Sequence, residues 1–239
     1  MTEFCDLELT ETKDNPSFAY ENPPPSVPGW TASNLDNGFV SPSAYGSADI
    51  ICHKSATPGK AYVSVKAGDS VKIQWTPLWP VGHKGPVLDY LAECPGDCTT
   101  VDKTALKFVK IAQGGLIDGS TNPGTYATDT IVKNNSTWTV AIPAALKPGN
   151  YVLRHEIIGL HVAGSSDGAQ NYPQCINLKV SGSGTVAISG GVPATAFYKA
   201  TDPGILFDIY RTVTSYVIPG PAVWTPKASK ARRHERDFE

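Results

Sequence analysis

At 239 residues, of which 41% are hydrophobic, the chain is long enough to bury a sizeable core and reads as one principal domain. Its formal net charge of −2 offers no electrostatic footprint for nucleic acid or an anionic membrane surface, and no apolar run approaches the length of a membrane span. Twenty prolines and 22 glycines against a single methionine favour many short strands joined by turns over long helices.

Residues 1–17 are acidic and lack periodicity, so they read as a disordered arm, and they contain no apolar core of the kind a secretory signal needs. Residues 20–30, rich in proline, should run extended over the surface, with Tyr20 and Trp30 packing against the domain. Val63 and Val65 mark an edge strand and Gly68-Asp69 a turn. Val71, Ile73 and Trp75 then alternate with Lys72, Gln74 and Thr76, as expected of a strand buried on one side. Gly82-His83-Lys84-Gly85-Pro86 is a loop, a place for an exposed or functional histidine rather than a core one. Further strands are expected at 87–91, 108–112 and 136–142.

From Pro148-Gly149 onward, Tyr151, Leu153, His155 and Ile157 share one face of a strand, and Val152, Arg154, Glu156 and Ile158 the other. A polar, glycine-containing loop should follow, presenting His161, Gln170 and Tyr172. Cys175, Ile176, Leu178 and Val180 begin the next strand, with Asn177 and Lys179 expected outward. The region 201–221, with Tyr210 and Tyr216, reads as short helical or irregular, and 225–239 as a charged disordered tail. About seven strands at this spacing predict an all-β, immunoglobulin/fibronectin-like β-sandwich with long loops over 18–224.

Of five cysteines, Cys5, Cys52, Cys94, Cys98 and Cys175, one is odd in any fully paired scheme. Cys94-Pro-Gly-Asp-Cys98 could close a small ring and leave Cys52 and Cys175 to link distant strands, which would imply an oxidising compartment; alternatively Cys94 and Cys98 could be half of a zinc site. Overlapping sequons make Asn134 and Asn135 candidate glycosylation sites, in agreement with secretion.

The groups able to carry chemistry are few. His155, within a strand, reads as a satisfied core residue, and His53 beside Cys52 as structural. Loop imidazoles suit copper, zinc, iron or nickel, and nitrogen donors with a weak axial oxygen favour copper(II). Ser165-Ser166-Asp167 lies near His161 without a nucleophile elbow. Glu156 and Asp167 could pair as in a glycoside hydrolase, but an ion pair with Arg154 also explains Glu156. There is no P-loop and no dinucleotide fingerprint.

Several runs, taken together and in order, resemble the fungal lytic polysaccharide monooxygenases of auxiliary activity family nine (formerly glycoside hydrolase family sixty-one). They are residues 49–53 (DIICH), 74–77 (QWTP), 83–87 (HKGPV), 94–98 (CPGDC), 148–158 (PGNYVLRHEII), 168–175 (GAQNYPQC), 202–205 (DPGI) and 218–221 (IPGP). The resemblance implies copper-dependent oxidative cleavage of cellulose or related β-1,4-glucans by a secreted monomer, using an external electron donor and O2 or peroxide. It implies His83 as a copper ligand, Tyr172 as the axial phenol, His161 and Gln170 as neighbouring hydrogen-bonding groups and Tyr210 as a glucan-stacking aromatic. It also implies Cys52–Cys175 and Cys94–Cys98 disulfides. The family's other copper ligand is a mature N-terminal histidine, whereas this sequence starts at Met1 and its first histidine is His53. The expectation is therefore that an atypical first segment stands in place of the true one, leaving the copper site incomplete as written. The alternative is a non-catalytic, polysaccharide-binding relative without a functional copper site.

Overall fold

The computed structural model describes residues 26–34, 38–75 and 78–226. The arm expected at 1–17, Cys5, Tyr20, Thr76 and all but the first two residues of the expected tail lie outside them. In chain order the elements are α1 (Asp49–Cys52), β1 (Val63–Lys66), β2 (Ser70–Gln74), β3 (Val87–Glu93), β4 (Phe108–Gly114), β5 (Leu116–Asp118), β6 (Thr125–Tyr126), α2 (Ala127–Lys133), β7 (Thr137–Ala141), β8 (Gly149–Gly159) and β9 (Gln170–Ser181). The main sheet has the order β1-β9-β8-β3-β4, with β1 parallel to β9 and the other neighbours antiparallel. The antiparallel pair β2-β7 covers one face, so the expected β-sandwich is present, with β5-β6 as a small separate ribbon.

Between the two layers, Val71, Ile73, Val140 and Ile142 pack against Leu91, Tyr151, Leu153, Ile176 and Leu178. The other face of the main sheet is not solvated. It carries a second core in which Trp30, Ile50, Ile51, Phe197 and Ile205 cover Leu88, Tyr90, Val152 and Ile158. Both faces of β8 are therefore buried. Asn177, expected outward, is fully buried: its amide donates to the Gly59 carbonyl at 2.8 Å and its Oδ1 accepts from Trp30 Nε1 at 2.8 Å. Lys179 is exposed as expected.

Charges on the covered face must be compensated locally. Arg154 and Glu156, both 0% exposed and on the same face of β8, form a bidentate pair at 2.6 and 3.0 Å. Arg154 also donates to the carbonyls of Ile51 and Ile50, each at 2.7 Å, while Glu156 accepts from Asn171 Nδ2 at 2.8 Å and from the Tyr198 hydroxyl. This overturns the hydrolase arrangement: Glu156 is sealed and saturated, and Asp167 is taken up by the amide and hydroxyl of Ser43 at 2.6 and 2.9 Å. A general acid needs access to its substrate.

His155 is the satisfied core residue its strand position implied. Its Nε2 accepts from Trp75 Nε1 at 3.0 Å, which places the ring proton on Nδ1, 2.7 Å from Asp89 Oδ1; Trp138 Nε1 donates to the other Asp89 oxygen at 2.9 Å. Both disulfides form, Cys52–Cys175 and Cys94–Cys98, excluding a zinc role for the latter pair. Bridging 123 positions, Cys52–Cys175 removes about 5 kcal/mol of unfolded-chain entropy in the loop-closure picture.

Candidate active site

The site lies where β8 ends and the loop before β3 runs alongside it. Ile158 N donates to the Pro86 carbonyl at 3.1 Å and Leu160 N to the Lys84 carbonyl at 2.8 Å, so residues 83–86 lie beside residues 158–161. Gly85 is required there: a Cβ would come within 1.9 Å of the Ile158 carbonyl oxygen. Gly82, by contrast, has open space around it. The close approach brings His83 and His161 together with ring centroids 3.9 Å apart and planes tilted by 39°.

Helix α2 fixes the same segment from the other side. Gly85 N donates to Thr128 Oγ1 at 2.9 Å, and Lys84 Nζ bonds Asp129 Oδ1 at 2.6 Å. Asp129 also accepts from Tyr126 N at 2.7 Å and so caps its own helix. Neither α2 nor this clamp was anticipated, because the helix is short and rich in β-branched residues. The local sign was Asp129 in its first turn.

Tyr172 approaches from β9. Gln170 and Tyr172, expected on a loop, belong to the strand itself, paired opposite Gly159 and Ile157. The Tyr172 hydroxyl donates to Gln170 Oε1 at 2.7 Å, which engages its proton and leaves its oxygen lone pairs free. Trp79 binds the parts together. Its ring meets Tyr172 edge-on at 5.1 Å and His83 at 5.9 Å, and its Nε1 donates to the His83 carbonyl at 3.0 Å. The backbone amide of Trp79 is held in turn by Ser136 Oγ at 2.7 Å, a link across 57 positions. Trp79 and Ser136 are the contributors the sequence reading missed.

Electrostatically, burial lowers the pKa of His83 below its usual value. Burial, and then the neighbouring His83, does the same for His161, so both imidazoles are neutral and able to donate lone pairs. Burial pushes the Tyr172 phenol up to about 12, keeping it protonated. His161 Nδ1 is buried without a hydrogen-bond partner. Beside this cluster the surface is apolar: Leu78, Val81 and Val162 are 62%, 68% and 48% exposed. Tyr210, 55% exposed, stands on a separate loop whose Phe207 N bonds the Ala163 carbonyl in the turn after His161. Asn134 and Asn135 are exposed, at the turn between α2 and β7.

The family profile of auxiliary activity family 9 (formerly GH61) matches residues 6–216. The chain belongs to auxiliary activity family 9. Within that family it is 59% identical over 211 residues to the lytic polysaccharide monooxygenase cel61A of Hypocrea jecorina, an alignment covering 88% of this chain and 60% of that protein. It is 56% identical over 214 residues to lytic polysaccharide monooxygenase A of Talaromyces verruculosus, covering 90% and 65%. The chain thus spans less than two thirds of the length of these two family 9 proteins. Among solved structures it resembles the extended catalytic domain of H. jecorina LPMO9A, with a TM-score of 0.83 and 56% identity over 91% of this chain and 88% of that one. It also resembles H. jecorina Cel61B, a member of glycoside hydrolase family 61, with a TM-score of 0.80 and 50% identity over 84% and 86%.

Proposed function

We propose that this chain is a catalytic domain for copper-dependent oxidative cleavage of cellulose or a related β-1,4-glucan, acting outside the cell as a monomer. The observation that carries the reading is the pair of neutral imidazoles 3.9 Å apart, with a protonated phenol nearby, beside an exposed apolar surface. The relatives named as lytic polysaccharide monooxygenases supply the reaction class. The donors suit copper: the His83 imidazole nitrogen for a strong bond, the neutral Tyr172 phenol oxygen for a weak one, and a partnerless buried nitrogen on His161 beside them as a hydrogen-bonding group.

In this reading His83 would hold the copper through its imidazole and Tyr172 would stand at a distant oxygen position. Bound there, copper reduced by an external electron donor supplies the power to activate O2 or peroxide toward a glucan C–H bond. The protein's part is orientation. Trp79 holds the His83 backbone through its carbonyl and shields one side of Tyr172. Gln170 fixes the phenol's proton and therefore the direction of its lone pairs. His161 and Gln170 would supply hydrogen-bonding groups beside the metal, His161 as the group able to exchange a proton there. Leu78, Val81 and Val162 offer contact to the apolar faces of sugar rings, and Tyr210 a stacking surface beyond them.

A second reading, a polysaccharide-binding relative without a functional copper site, draws on the donor count. Among the described residues no three His, Cys, Asp or Glu side chains come together. Incubation with amorphous cellulose, copper, reductant and peroxide separates the two readings. Soluble oxidised oligosaccharides that vanish when His83→Ala replaces the parent support the enzyme. Cellulose binding with no oxidised product supports the binder.

A further inference from the structure

We infer that the β5-β6 ribbon is a bracket for the substrate surface, and that Asn122 on its loop is the residue that positions Tyr210. The inference rests on the proposed glucan-stacking role of Tyr210 and deepens it. The ribbon joins neither layer of the sandwich through strand pairing. Its loop, residues 119–124, instead meets the segment that carries Tyr210.

Tyr210 lies outside the strands, with its ring 55% exposed, while Ile209 before it and Val213 after it are buried. A ring held in place before it meets a sugar avoids the ordering cost that binding otherwise carries. Both backbone polar groups of Tyr210 are taken up by side chains. Its N–H donates to Asp208 Oδ1 at 2.9 Å, and its carbonyl accepts from Asn122 Nδ2 at 2.7 Å. The first bond is local to the turn. The Tyr210 amide, together with Arg211 Nε at 2.9 Å from the other oxygen, holds the Asp208 carboxylate below its usual range and so preserves it as an acceptor. The second bond spans 88 positions and fixes the turn relative to another element. A carbonyl can accept only from the nitrogen end of the amide, which sets the orientation of Asn122.

Close backbone contacts support the same docking. A Cβ on Gly119 would come within 1.9 Å of the Val213 carbonyl oxygen, so the ribbon loop lies directly against the Tyr210 segment. At the other end of that segment, Phe207 N donates to the Ala163 carbonyl at 2.8 Å, two residues beyond His161. Tyr210 is thus held between the turn after His161 and the ribbon. The first attachment ties the ring to the imidazoles, and the second keeps it from swinging about that tie. Asn122 sets where a glucan lies relative to the imidazoles without being a reacting group. Its side chain is exposed, so replacing it opens no cavity in the core.

Two readouts on the full chain test this. In hydrogen exchange followed by mass spectrometry, Asn122→Ala should speed exchange in peptides covering 208–213 by about 5-fold, with the melting temperature unchanged. Asn122→Asp, which keeps the shape and loses the donor, should do the same. In depletion isotherms on amorphous cellulose, Tyr210→Ala should raise the dissociation constant by about 10-fold, and Asn122→Ala by about 3-fold. Asn122→Ala added to Tyr210→Ala should raise it no further, because Asn122 acts through that ring. Unchanged exchange at 208–213 in both Asn122 variants, a general fall in their melting temperature, or losses of affinity that add, each overturn the inference. A parent that does not bind cellulose overturns the glucan role of Tyr210 and with it the function of the bracket. A parent that binds, with full affinity kept in both Asn122 variants, overturns the bracket alone.

Discussion

The two sides of β8 treat polar groups in opposite ways. Toward the covered face, Arg154 and Glu156 are completely buried, and every polar atom of the pair is matched, either within the pair or by Ile50, Ile51, Asn171 or Tyr198. Just beyond the end of the strand, His161 keeps a buried nitrogen with no partner, pressed against a second imidazole. A saturated network has nothing left to offer a ligand, whereas an unsatisfied one does. The difference teaches which polar residues hold the fold and which are available for chemistry, although both stand on the same hairpin.

The comparison breaks most visibly from the structural side. Glu156→Ala leaves a buried guanidinium uncompensated and should cost about 3–5 kcal/mol, read as a lower urea midpoint. Gly85→Ala should come next. Its Cβ collides with the Ile158 carbonyl, so we expect about 1–3 kcal/mol lost, and copper affinity down by about 10–100-fold as the segment carrying His83 shifts. Ser136→Ala strands the buried Trp79 amide and should cost about 1–3 kcal/mol, with copper affinity falling together with it. His161→Gln should behave in the opposite sense: stability within about 0.5 kcal/mol of the parent, but oxidised product reduced by about 10–100-fold. A large loss of stability in that variant would make His161 structural and erase the contrast.

The smallest expected effect is one of pH. Burial sets both site imidazoles below the unfolded value of about 6.5. Folding therefore favours their neutral forms, and that contribution is present above about pH 6.5 and lost as the pH falls below it. Thermal melts of metal-free protein should show stability declining from about pH 7 to about pH 5, and the decline should be shallower in His161→Gln.

Much of this was legible in the sequence because alternation and turn residues have local causes. The assignment of Tyr151, Leu153 and Ile157 to one face of β8, and of Val152, Arg154, Glu156 and Ile158 to the other, follows from a period of two and is what the structure has. What alternation could not say is that irregular chain covers the second face, so Asn177 was placed outward although Trp30 and Gly59 seal it in. Gln170 and Tyr172 read as part of the loop because polar and glycine residues surround them, and Pro173 belongs to a residue type usually kept out of central strands. Proline is tolerated here because β1 pairs only with the far end of β9, leaving Pro173 at a local edge opposite Glu156. His83 stood out through its glycine-flanked loop, and the family motifs pointed to Tyr172, Gln170 and His161. Trp79 and Ser136 did not stand out, since their roles depend on contacts between segments far apart in the chain.

The account's central claim is that His83 and its neighbours form a copper-dependent oxidising centre, and calorimetric titration with copper tests it most directly. The account predicts saturable binding of one equivalent to the parent chain and its loss in His83→Ala, with the fold of the variant intact by circular dichroism. Binding that is absent in the parent, or unchanged in His83→Ala, would contradict it.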